Sequence, residues 1–337
     1  MFLPLRFPEA GSERPRIRKN CLRIIILGYL CAMDTLLGKN MESLREVTAR
    51  LGLPRFAASQ IASWIYKKGA TDFAQMTDIS LPHRRALAEN CTLGLTPPED
   101  AACSDDGTKK YVFRVGSGQL VESAYIPDGD RATLCISSQA GCKMGCRFCF
   151  TGRGGFHGDL SAAEILNQIA SLPERENLTN IVMMGMGEPL DNPDEVLAAL
   201  EAMTSPWGYA WSPTRITLST IGVIPNLKRF LNSTQINLAV SLHNPFPDQR
   251  EAIMPVEKAY PIRKVVELLK QYDFTHQRRV SFEYIVLKGM NDSPEHVKEL
   301  ARLLDGLKCR INLIRFHAIP DSPFVSPDNA SVVRFRD

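Results

Sequence analysis

The chain has 337 residues, 44% hydrophobic and 23% charged, room for one large globular domain and a smaller one. No apolar run approaches the roughly eighteen residues that span a bilayer; the nearest, Cys21 to Met33, is short and carries Arg23. The net charge of +3 comes from residues 1–32, where six basic groups meet two acidic ones; the other 34 basic and 35 acidic residues nearly cancel, so bulk charge does not mark a nucleic-acid binder.

Residues 1–32 lack periodicity and read as a non-globular extension. Their basic start and short apolar run have the outline of a signal peptide, which the cysteine usage argues against. Met33 or Met41 is the expected true start. Residues 33–95 read as a small helical domain: Leu44, Val47, Leu51, Ile61, Ile65 and Tyr66 recur at helical spacing, Pro54 and Pro82 punctuate, and Ser80 is placed to cap a helix. Residues 96–131 form a linker that contains a β-hairpin. Tyr111, Phe113 and Val115 alternate on one arm and Leu120, Glu122 and Ala124 on the other, around Gly116, Ser117 and Gly118.

From residue 132 to 337, six strand-like segments alternate with helical ones. The expected strands are Thr133–Ser138, Asn180–Met186, Arg215–Gly222, Ile236–His243, Val280–Lys288 and Arg310–His317, dense in the β-branched and aliphatic residues of buried parallel strands. The expected helices include Ser161–Leu172, opened by the capping pair Ser161 and Glu164, then Asp194–Met203, Ile262–Tyr272 and Pro294–Leu304. Repeated β–α units imply an α/β fold, either a doubly wound sheet or an incomplete barrel. The polar residues gather at the strands' carboxyl ends, which favours the barrel.

Of nine cysteines, Cys21, Cys31, Cys91, Cys103, Cys135 and Cys309 are scattered, whereas Cys142, Cys146 and Cys149 form a C-x3-C-x2-C loop after the first of those strands. Three soft thiolates suit an iron–sulfur site with one iron open, or zinc. Structural zinc needs a fourth ligand, for which His157 is the nearby candidate. Gly187 and Glu188 close the second strand, Ser219 lies on the third, and Ser241, Leu242 and His243 end the fourth, so all fall at one rim. For RNA contact the candidate basic pairs are Lys67 with Lys68, Arg84 with Arg85, Lys109 with Lys110, and Arg278 with Arg279, each read more readily as solvated surface.

The cysteine loop resembles that of the radical S-adenosylmethionine (SAM) superfamily. Together with residues 131–142 (RATLCISSQAGC), 121–127 (VESAYIP) and 184–190 (MGMGEPL), the chain from about residue 34 onward resembles the RlmN family. That resemblance implies a partial (β/α)6 barrel with an N-terminal helical domain, a 4Fe–4S cluster on the three cysteines, and SAM. It implies methylation of adenine C2 in 23S rRNA and tRNA, a carbon too electron-poor for simple alkylation. One SAM methylates a carrier cysteine, a second yields the radical that activates the methyl group, and the adduct on the ring is resolved by another cysteine. By position Cys135 matches the resolving cysteine and Glu122 the proton acceptor. His317 stands where the family contacts SAM with Asn. The carrier cysteine falls beyond Asp337, and Cys309 does not match it, so a C-terminally truncated, impaired enzyme is expected. A cytoplasmic monomer fed by a donor such as flavodoxin is also expected. Three alternatives are a Cfr-like enzyme acting on adenine C8, a zinc-stabilised RNA-binding protein, and a radical SAM enzyme of small molecules.

Overall fold

The computed structural model describes residues 33–274 and 280–337. The extension, with Cys21 and Cys31, and the Arg278–Arg279 pair lie outside the described residues. Helices α1 (Met41–Arg50), α2 (Ala57–Ala62) and α3 (Leu81–Asn90) form the front of the molecule. Asn40 caps α1, its side chain accepting from the Ser43 N–H at 2.9 Å. Ser80 stands at the start of α3, but its hydroxyl bonds His83 Nδ1 at 2.9 Å rather than the helix backbone. The front helices pack on the rest of the chain through Tyr66, whose ring meets Trp207 and Tyr209 edge-on at 5.6 and 5.3 Å.

A nine-stranded sheet follows: β1 (Asp100–Cys103), β2 (Lys109–Arg114), β3 (Leu120–Asp128), β4 (Arg131–Cys135), β5 (Asn180–Met183), β6 (Ile216–Thr220), β7 (Asn237–Ser241), β8 (Val280–Val286) and β9 (Cys309–Arg315). Strands β1 to β4 are antiparallel neighbours, and β4 to β9 are all parallel. The order in space is the order in sequence throughout. A doubly wound sheet must reverse its order at a switch point; this one never does, so its parallel part winds one way, as an incomplete barrel. The helices α4 (Ala162–Ala170), α5 (Pro193–Thr204), α6 (Ile224–Ser233), α7 (Pro247–Ile253), α8 (Ile262–Leu269) and α9 (Pro294–Leu304) fall between parallel strands. Ser161 and Glu164 form the reciprocal box at the start of α4.

The expected strands overrun the observed ones by up to three residues at their carboxyl ends. Two of the overruns have a local cause: the last expected residues of the third and fourth strands, Gly222 (φ +99) and His243 (φ +58), take left-handed backbone and leave the ladder. The overrun residues are therefore those that bend inward at the rim.

Candidate functional site

The cysteine loop begins at Gly141, with φ +74, where a Cβ would collide with the Gly155 carbonyl. That close approach lets the Cys142 N–H donate to Gly155 O at 2.8 Å. The Cys149 N–H returns to Cys146 O at 3.1 Å, and the Arg147 N–H ties the loop to Ile253 O at 2.9 Å. All three thiols are free and half-buried, and they line one cavity of about 240 Å³. Burial pushes the Cys142 thiol up to about 11 and the Cys146 thiol higher still.

Gly187, Glu188, Ser219, Ser241 and His243 line the same cavity. At Gly187 a Cβ would stand 2.6 Å from Gln139 Cβ, so only glycine lets the strand end close on Gln139, which accepts from the Glu188 N–H at 2.9 Å. The Glu188 carboxylate is buried and accepts from Thr220 Oγ1 (2.5 Å), Ile221 N (2.9 Å) and Leu190 N (3.0 Å). Burial outweighs those bonds and lifts its carboxyl to about 7. His243 is buried, its Nδ1 accepts from the Ile285 N–H at 3.0 Å, and its ring meets Phe148 edge-on. Burial first, and the Arg250 charge second, hold its imidazole down to about 3, so it is neutral.

Two of the expected rim residues lie elsewhere. The Leu242 side chain is fully buried in the core and only its backbone is near the site, its carbonyl accepting from Arg250 Nε at 2.9 Å. His317 is exposed, two residues past β9, and Ile314 forms the cavity wall there. Cys135 and Glu122 flank the cavity without lining it. Cys135 pairs in register with Ala124 and Val182, which places Glu122, two residues from Ala124, on the same face of the sheet. The Cys135 thiol is buried beside the Met184 N–H, and burial pushes it up to about 11; Met184 itself lines the cavity. Glu122 pairs with Lys110 at 3.1 Å, and its carbonyl accepts from Ser137 Oγ at 2.6 Å, level with the carboxyl end of β4.

A family model described as the Radical SAM superfamily matches residues 136–304, and one described as the ribosomal RNA large subunit methyltransferase N-terminal domain matches residues 35–93. The chain is 57% identical over 302 residues to the probable dual-specificity RNA methyltransferase RlmN of Parabacteroides distasonis, covering 90% of this chain and 88% of that protein. It is 59% identical over 301 residues to the Porphyromonas gingivalis protein of the same description, covering 89% and 88%.

The chain belongs to the RlmN family.

The fold agrees: the crystal structure of a radical SAM methyltransferase from Sphaerobacter thermophilus, 38% identical, superposes with a TM-score of 0.84 over 90% of this chain and 91% of that one. An RlmN-family chain implies a 4Fe–4S cluster, and the donor set fits one. Among the described residues no three His, Cys, Asp or Glu side chains converge on a point one ion could occupy. The three soft thiols line one cavity, and no fourth cysteine is among its lining residues, a donor set that suits three corners of a cluster. Burial disfavours the Cys142 and Cys146 thiolates, a cost that a bound cation would offset. His157, the candidate fourth zinc ligand, is exposed and bonds Gly154 O at 3.0 Å.

The basic pairs are largely engaged locally. Lys109 meets Glu174 at 2.6 Å, Lys110 meets Glu122, and Lys68 lies 3.7 Å from both Asp78 Oδ2 and the Trp64 ring centre. Arg84 donates to Ala74 O at 2.5 Å; Lys67 and Arg85 remain exposed. Two residues escaped the sequence reading. Arg250 is fully buried on α7 and donates to the Leu242 and Ser241 carbonyls at 2.9 Å and to the Glu257 carboxylate. Glu283, inside β8, lines the cavity. Its sequence signal is a lone carboxylate in a mostly apolar strand.

Proposed function

We propose that this chain is built to methylate C2 of adenine in RNA, with 23S rRNA and tRNA as substrates, in the cytoplasm and as a monomer served by a flavodoxin-type donor. The observation that carries the reading is the convergence, in an RlmN-family chain, of three thiols and five parallel strand ends on one cavity, with Cys135 and Glu122 on the adjoining sheet face. Cys142, Cys146 and Cys149 would hold the 4Fe–4S cluster; Gly187, Glu188, Ser219, Ser241 and His243 would hold SAM. A reduced cluster with bound SAM supplies a carbon radical, which suits a ring carbon that resists ordinary alkylation.

The chain's own residues do the rest. The buried thiol of Cys135 stays protonated near neutral pH, so it holds a proton until substrate approaches and serves as the resolving thiol. Glu122 pairs with Lys110 at 3.1 Å and stands ready to accept the ring proton. A base must leave its stack to reach this face, and the half-exposed Met184 at the rim offers it an apolar edge.

The test begins with anaerobic reconstitution and EPR with and without SAM. A reduced cluster signal that changes with SAM supports the site assignment; an unchanged signal overturns it. RNA products are then digested and separated by mass spectrometry. 2-Methyladenosine supports the reading, whereas 8-methyladenosine moves the reaction to C8. No cysteine follows Cys309 in this sequence, so the assay is run with the chain as given and with a relative's carrier segment joined at Asp337. Product from the extended chain alone supports the methyl-cysteine route; product from the chain as given refutes it.

A further inference from the structure

Three adjacent strands place a polar side chain at one level. Ser241 of β7 is the register partner of Glu283 of β8, which is in turn the partner of Asn312 of β9. Register partners project from the same face, and Ser241 and Glu283 both line the cavity. One step nearer the strands' carboxyl ends, Ile285 and Ile314 form the next register pair, and both line it too. The far wall therefore carries a polar row with an apolar row above it.

Glu283 is the unusual member. It is 7% exposed, between the buried apolar residues Phe282 and Tyr284, and no cation pairs with it among the described residues. Burial raises its carboxyl. Ser281 Oγ (3.1 Å) and Asn312 Nδ2 (2.9 Å) both donate to Oε1, which leaves Oε2 without a partner among the described residues. A glutamine in this place would accept both of those bonds through its carbonyl oxygen. Glu283 lines the cavity, and Oε2 is the oxygen that no described residue bonds, so it is the acceptor offered to whatever fills the cavity. It calls for a ligand that brings O–H or N–H donors.

We propose that Glu283 is a SAM-binding residue whose carboxylate accepts hydrogen bonds from the hydroxyls of the adenosyl ribose, with Ser241 beside it and Ile285 and Ile314 against the purine. This rests on the reading of the cavity as a SAM site and adds to it a determinant of ligand identity. The three thiols fix one end of the ligand at the opposite wall, so the nucleoside end is the part that reaches β8 and β9. A vicinal diol carries two donors toward one acceptor group, and a flat ring above it matches the two isoleucines. The target adenosine of RNA shares this chemistry, and the test separates the two.

The reconstituted chain is titrated by calorimetry with SAM and with analogues lacking the 2′- or the 3′-hydroxyl, and each complex is checked by EPR. The wild-type chain should bind at least one deoxy analogue roughly 10- to 100-fold more weakly than SAM, the range for a charge-assisted hydrogen bond. Glu283→Gln should lose a similar factor for SAM, nearly none for that analogue, and keep its iron content and melting temperature. Equal binding of SAM and both analogues by the wild-type chain overturns the inference even if the variant fails to fold. Unchanged SAM affinity in a folded Glu283→Gln overturns it as well. If Glu283→Gln binds SAM normally and instead loses affinity for RNA oligonucleotides, the carboxylate serves the target nucleoside and the inference fails. A chain that takes up iron but binds no SAM refutes the cavity's functional reading and this inference with it.

Discussion

The two walls of the cavity are built differently. The wall next to β4 and β5 is a matter of backbone: the cysteine loop closes by main-chain bonds, Gly187 abuts Gln139, and Glu188 is held by N–H groups from Ile221 and Leu190. The wall made by β7, β8 and β9 is a matter of side chains standing in register on regular strands, Ser241, Glu283 and Asn312. The first wall should therefore be intolerant of substitution in stability, and the second only in what it binds. Arg250 joins them, donating to the Ser241 and Leu242 carbonyls of β7 and, at 3.5 Å, to Ile221 O beyond β6.

The largest expected effect is at that joint. Arg250→Met leaves the buried Glu257 carboxylate unpaired and three carbonyls without their donor, and should cost about 3–5 kcal/mol in urea unfolding. A loss below about 1 kcal/mol would mean that the walls are independent. Next comes Glu188. Its folded-state carboxyl sits near 7 against an ordinary 4.5, so the folded protein holds the proton more tightly than the unfolded chain. Stability contributed by that proton is present below about 4.5, falls as pH rises to about 7 by up to roughly 3 kcal/mol, and is level above. Glu188→Gln should flatten that slope in melting curves recorded between pH 5 and 7.5. Gly187→Ala forces a Cβ into a left-handed position against Gln139 and should cost about 1–3 kcal/mol by the same unfolding measurement. A Gly187→Ala protein as stable as Glu283→Gln would erase the contrast between the walls. Smallest is Lys110→Met, which removes a partly exposed pair with Glu122 and should shift stability by less than about 1 kcal/mol.

The backbone wall was the legible one. A backbone site must use glycine and closely spaced cysteines, and those leave marks in the sequence: Cys142, Cys146 and Cys149, then Gly187 and Glu188. The six parallel strands were legible as apolar runs, and their sequential winding was favoured by where Ser219, Ser241 and His243 fell. Of the side-chain wall only Ser241 was legible, because the rest depends on register between strands tens of residues apart. Glu283 acquires meaning only beside Ser241 and Asn312. Leu242 was read as a binding residue from its neighbours, yet period-two alternation turns its side chain into the core. His317 was placed by the family's SAM-contacting Asn, and the structure leaves it exposed two residues past Arg315, where β9 ends. Lys110 was read as an RNA contact or as surface charge; the hairpin was legible, but not that Lys110, in register with Ala124, reaches diagonally across it to Glu122.

The sequential sheet also sets a timetable for the molecule's making. Each strand leaves the ribosome to find its only earlier neighbour already in place, so the sheet can lengthen in step with translation. The three thiols emerge early, whereas Asn312 and Ile314, which finish the opposite wall, follow more than 160 residues after Cys149. At translation speeds of about 5–20 residues per second, that is an interval of roughly eight to thirty seconds. Throughout it the three thiols stand in a half-built cleft open to solvent, vulnerable to stray metals and oxidants. Cofactor loading must therefore either wait for the last strand or be guarded until it arrives.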